Sequence, residues 1–184
     1  MTSTTFNPPP IIMAIDTLKR AVIFLILCLA QALVFNRIQL FDCATPLLYV
    51  YFVVMFPRNY PKWAVLLWSF SLGLVVDMFA NTPGVASASL TIVGALQPYL
   101  LVPFLPREPE ANHVSSARSL GWGKFFLLTL ICVLLHCLLF FTLEAFTFFN
   151  LEHWLECIGG STLLTTMLIM TFETFRGSSA TNNT

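Results

Sequence analysis

Charge is what this sequence has least of. Only 10% of its 184 residues are Asp, Glu, Lys or Arg, nine acidic against nine basic, where about 25% is usual. So few charges cannot cover the apolar surface of a water-soluble domain of this length. The formal net charge is zero, so no basic field gathers phosphates, and nucleic-acid binding is excluded. The marks of catalysis are also missing. There is no HExxH, GxGxxG or Walker sequence, and no nucleophile–histidine signature. No connection exceeds about 20 residues, so no soluble catalytic domain hides in a loop. No internal repeat stands out, which weakens an inverted-repeat transporter. The five cysteines, Cys28, Cys43, Cys132, Cys137 and Cys157, form no CxxC pair. They are expected to be small packing residues and not a disulfide framework.

What remains is apolar. Hydrophobic residues make up 57% of the chain, with 18 Phe, so lipid is the expected solvent. A spanning helix needs about 20 mostly apolar residues. Six such stretches are predicted: 16–35, 45–56, 63–79, 85–104, 124–143 and 155–172. Residues 1–15, with Pro8-Pro9-Pro10, read as a tail, 16–176 as the membrane domain and 177–184 as a second tail. Lys19-Arg20 ahead of Ala21–Phe35 resembles a signal sequence without a small-residue cleavage site, so the first helix is expected to stay as an anchor. The expected fold is an all-α integral membrane protein, a bundle of six transmembrane helices.

The cations set the orientation. With the N-terminus inside, the inner segments hold Lys19, Arg20, Arg58, Lys62, Arg107, Arg118, Lys124 and Arg176, while the outer ones hold only Arg37. That asymmetry predicts that both termini are cytoplasmic. Trp63 and Trp122 fall at the inner boundary and Trp154 at the outer one, where amphipathic rings are favoured.

Polar residues inside the spans are the candidate sites. Asp77 is the one carboxylate well inside a predicted span, and such a residue is a functional candidate by default. It lies about one turn from the outer end of its helix, at the unfavourable end of that helix dipole. The free N–H groups after Pro83-Gly84 and the outer cation Arg37 are the two partners expected to offset this. A turn-stabilising carboxylate and a partner or ligand site both fit. Ser87, Thr91 and Ala95 form a small-residue stripe, and Cys157, Ser161 and Thr165 form another. Such stripes serve internal packing or the docking of a separate chain. Ser87 and Thr91 are the first choice for a partner face. Pro98 removes a helix hydrogen bond, and Gln97 sits beside it. Cys132 and His136 share a face, but two ligands are too few for a metal. No cofactor or metal is expected, and helices 1, 2 and 6 offer almost no polar groups for catalysis.

The stretch Asp42-Cys43-Ala44-Thr45-Pro46-Leu47-Leu48-Tyr49-Val50-Tyr51 and the later Gly73-Leu74-Val75-Val76-Asp77-Met78-Phe79-Ala80-Asn81-Thr82-Pro83-Gly84 resemble the MreD family of rod shape-determining proteins, in its Bacteroidota form. Pro106-Arg107-Glu108 looks like that family's exit from helix 4. Gln97-Pro98 stands where the family has Arg-Pro. The resemblance is sharpest over 42–108. It implies a non-enzymatic subunit of the cell-wall elongation machinery in the bacterial inner membrane. The implied partner is an MreC-like single-span protein, with MreB, RodA and a class B penicillin-binding protein further off. It also implies a fold similar to the substrate-binding subunits of energy-coupling-factor transporters, in which six helices surround a pocket near the outer face. A transporter subunit of that kind is the alternative function. Such subunits carry an Ala-x-x-x-Ala element in helix 1, and Ala21–Phe35 has none.

Overall fold

The computed structural model describes residues 10–33, 45–57, 60–104, 120–145 and 151–179. Among them the helices are α1 (Pro10–Leu33), α2 (Val50–Val54), α3 (Lys62–Ala80), α4 (Val85–Leu101), α5 (Trp122–Ala145) and α6 (Leu151–Ser179), with a 3₁₀ turn at Val102–Phe104 after α4. The described residues contain no strand. Among the described residues four stretches are long and apolar enough to cross a membrane: Lys62–Ala80, Val85–Phe104, Trp122–Glu144 and Trp154–Arg176. Their outward faces stay apolar. Leu67, Phe70, Leu74 and Met78 form an exposed stripe along α3, and Val22, Leu25, Ile26, Leu29 and Leu33 do so along α1. Stripes of this extent suit lipid and not water.

The helix boundaries differ from expectation at both ends of the chain. Residues 10–15, expected as tail, are the first turns of α1. Pro10 is compatible with that start, because the first helical position lacks an N–H partner in any case. At the other end α6 runs on to Ser179, beyond the expected stop at residue 172.

The larger difference is α2. A spanning helix was expected over 45–56, but only Val50–Val54 is α-helical, about 7.5 Å at 1.5 Å per residue. Pro46 supplies no N–H, and Pro57 drives Phe56 out of the helical region. Between them, Val50 N, Tyr51 N and Phe52 N donate to Leu47 O, Leu48 O and Tyr49 O at 3.0–3.2 Å, the tighter i to i−3 pattern. Every residue from Pro46 to Phe56 is buried. The segment is an irregular core strut, and non-helical backbone at membrane depth is tolerated only when protein encloses it.

The other helices enclose it. α3 and α4 form the most intimate pair, α4 packs on α5, α5 on α6, and α1 on α3. α1 and α6 make no extensive contact with each other, so among the described residues the ring around α2 is open along that side. The α3–α4 contact is tight because small residues meet in pairs. A Cβ at Gly73 would run into the Ser87 backbone, with Ser87 N at 2.7 Å and Ala86 O at 2.8 Å. One at Gly94 would lie 2.6 Å from Ser69 Oγ.

Three of the cations share one end of the bundle. Arg20 stacks on the Phe56 and Tyr60 rings, at 5.1 and 4.4 Å to the centroids. Lys62 Nζ donates to Tyr99 Oη at 3.2 Å, and Arg176 Nη1 donates to Tyr51 Oη at 3.1 Å. These contacts place the three cations at the end of the bundle opposite Asp77, Glu144 and Glu152. Cys28, Cys132 and Cys137 are free and buried. Cys157 is disulfide-bonded, which corrects the expectation that all five cysteines are packing residues.

Candidate functional site

Two polar constructions organise the bundle. The first joins α3 to α4. Asn81 adopts a left-handed conformation (φ 57°) that ends α3, and its N–H donates to Asp77 O. Gly84, at φ 88°, starts α4, a value that costs an L-residue more than glycine. The chain therefore reverses within four residues. This brings the Asp77 carboxylate under the first amides of α4. Ala86 N donates to Oδ1 at 2.8 Å and Ser87 N to Oδ2 at 2.9 Å. Thr82 Oγ1 donates to Oδ1 at 3.1 Å. Asp77 is 3% exposed, yet each of its oxygens has a donor. The positive end of the α4 dipole faces it as well.

Thus Asp77 lies against the start of α4. Arg37, the other expected partner, lies outside the described residues. Gly84 supplies the backbone turn but no contact to the carboxylate. Ser87 is buried against Gly73 and binds Asp77 through its own amide. It is therefore unavailable as an exposed docking face, because the close α3–α4 approach covers it. Thr91 is half-buried, and its hydroxyl donates to Ser87 O at 2.6 Å.

The second construction is the cradle of α2. Its irregular backbone leaves donors and acceptors that α2 cannot satisfy alone, and side chains from three helices meet them. Gln31 Nε2 of α1 donates to Pro46 O at 3.0 Å. Gln97 Nε2 of α4 donates to Phe56 O at 3.1 Å. From α6, Ser161 Oγ accepts from Thr45 N at 3.1 Å and Thr165 Oγ1 from Leu47 N at 3.0 Å. The second small-residue stripe thus faces a backbone inside the same chain. The two tyrosines of the segment complete the cradle. Tyr49 Oη is 2.7 Å from His136 Nε2 on α5, and Tyr51 Oη donates to the Glu173 carboxylate.

Glu173 was missed from sequence. It is 4% exposed, and Arg176 Nη1 lies 3.5 Å from its carboxylate. The signal was present: Cys157, Ser161, Thr165, Ile169 and Glu173 recur every four residues, and all five are buried. The expectation that helices 1, 2 and 6 carry almost no polar groups is likewise corrected by Gln31, Tyr49, Tyr51, Ser161, Thr165 and Glu173. These groups hold backbone, one another or, for Tyr49, His136. Among the described residues no three His, Cys, Asp or Glu side chains converge as metal ligands. Comparison with protein-family models, with curated proteins and with solved structures finds no match for this chain.

Proposed function

We propose that the chain is a non-catalytic scaffold subunit of the bacterial cell-wall elongation complex, of the MreD kind, acting by binding an MreC-like single-span protein. MreB, RodA and a class B penicillin-binding protein are reached indirectly through that complex. One observation carries the reading. The buried polar side chains of the two constructions hold the bundle together: Asp77 clasps α4, while Gln31, Gln97, Ser161 and Thr165 hold α2. A bundle stiffened in this way presents a fixed surface to other membrane helices, which suits a scaffold.

In this reading the chain crosses the inner membrane six times with both termini in the cytoplasm. α2 and its flanks make the second crossing. Their contacts step along α6 from Ser161 through Thr165 to Glu173, about 18 Å at 1.5 Å per residue. Cations at the Arg20, Lys62 and Arg176 end favour a cytoplasmic placement there. A disulfide-bonded Cys157 near the opposite end of α6 suits an oxidising compartment.

The test is purification of the tagged full chain from its native membranes in mild detergent, with mass spectrometry of what stays bound. A stoichiometric single-span protein with a large outer domain is the expected result. A pair of ATPases in its place would refute the scaffold and establish the transporter subunit.

A further inference from the structure

The open side of the ring holds a cavity of about 330 Å³, within the size range of small-ligand pockets. Ile23, Ile26 and Leu27 of α1 form one wall, and Phe172 and Phe175 of α6 the other. Tyr51 and Met55, both buried, make the floor. Arg176 closes one end. Among the described residues its contacts to Tyr51, Glu173 and Met55 all go through Nη1. Its side chain is 44% exposed, so the rest of a guanidinium with five N–H donors remains open to an outside acceptor. Lys19 is exposed, one turn before Ile23 on the same face of α1. Glu173, the carboxylate nearest Arg176 among the described side chains, already accepts from Tyr51 and pairs with Arg176.

We infer that this cleft binds an anionic phospholipid, with one acyl chain between α1 and α6 and the phosphate at Arg176 and Lys19. The cleft opens sideways from the bundle, where lipid lies. Its length fits as well: Lys19 to Ile26 spans about 10 Å along α1, so the cations sit at headgroup level while the walls reach into hydrocarbon. A purely apolar solute would make no use of the cationic end. A partner's transmembrane helix would favour small residues for close approach, and this cleft offers Ile26, Met55, Phe172 and Phe175. The inference is independent of the scaffold reading, because it rests on the shape and charge of this cleft.

Native mass spectrometry of the purified full chain, titrated with phosphatidylglycerol and with phosphatidylcholine of identical acyl chains, tests it. Each basic side chain near an anionic headgroup favours it by about fivefold, so wild type should prefer phosphatidylglycerol by at least about that factor. The double variant Glu173→Gln/Arg176→Gln removes the Arg176 cation without stranding the buried carboxylate, and it should cut that preference by about fivefold, leaving only what Lys19 supplies. Ile26→Trp, at a position already 55% exposed, fills the cleft and should abolish binding of both, with an unchanged melting temperature showing that the fold survives. Equal affinity of wild type for the two lipids would overturn the proposal. So would full binding to Ile26→Trp, or a cleft found to hold a partner's helix after purification.

Discussion

Replacing Asp77 with asparagine removes one charge and almost no volume. In wild type the carboxylate accepts two amide hydrogen bonds at 2.8 and 2.9 Å and a hydroxyl at 3.1 Å. Asparagine has one oxygen. Oriented to keep Ala86 N and Thr82, it turns its NH₂ toward Ser87 N–H, donor against donor. A hydrogen bond to a charged group contributes about 1.5–3 kcal/mol, and losing the charge at the α4 start costs up to about 2 kcal/mol more. Asp77 is 3% exposed, so neutralising it also recovers part of the cost of burying a charge, and this offsets the dipole loss. The expected net loss is therefore about 1.5–3 kcal/mol, which for a chain of this size lowers the melting temperature by about 3–12 °C. Asp77→Ala abandons all three contacts and should melt lower still. Fluorescence-detected size exclusion after a temperature series reads both variants in detergent. If the carboxylate is structural, surviving Asp77→Asn protein should retain the proposed MreC-like partner in proportion to its amount. Melting at the wild-type temperature would refute the clamp. Wild-type melting together with loss of the partner would transfer Asp77 to the interface.

Gly73→Ala should destabilise severely, because its Cβ meets Ser87 backbone. Gly94→Ala should be milder and should recover in combination with Ser69→Gly, because the atoms it meets within 3.4 Å belong to the Ser69 side chain; equal melting of the two alanine variants would contradict this. Thr165→Val strands the buried Leu47 N–H, at about 1–3 kcal/mol, and wild-type melting would show that the cradle does not hold α2. Arg176→Gln alone should melt below Glu173→Gln/Arg176→Gln, since the single variant leaves the buried carboxylate without its cation. Reporter fusions after Glu152 and after Thr184 should read outside and inside respectively, and a periplasmic signal at Thr184 would overturn the orientation.

The α3–α4 hairpin was legible because two long apolar runs flank Asn81-Thr82-Pro83-Gly84. A turn that short leaves Asp77 nowhere to go but the start of α4. The nature of the α2 segment was not legible. Leu47–Phe56 is continuously apolar, and an apolar run reads alike as a lipid-facing helix and as an enclosed irregular strut. What distinguishes them is the set of donors and acceptors on α1, α4 and α6, which only the fold assembles. Ser87 was misjudged for a related reason, since a small-residue stripe has the same spacing whether it meets its own chain or another. Glu173 was hidden by its place near the end of a span, where a carboxylate is normally solvated, although the four-residue rhythm from Cys157 already pointed to it.

The cradle also constrains how the chain is made. Residues 45–57 leave the ribosome long before Ser161, Thr165 and Glu173, which lie 116, 118 and 122 positions beyond their respective partners. Until α6 is synthesised, Thr45 and Leu47 have no intramolecular acceptor of the kind they use in the finished bundle. During that interval the segment must either hold a provisional helix or stay beside the insertion machinery, where water or another protein supplies its partners. The native break in α2 is thus one of the last features to form. If the segment waits beside the insertion machinery, a ribosome stalled before α6 should leave 45–57 accessible to membrane-impermeant labels until the final helix is released, whereas protection throughout would indicate the provisional helix.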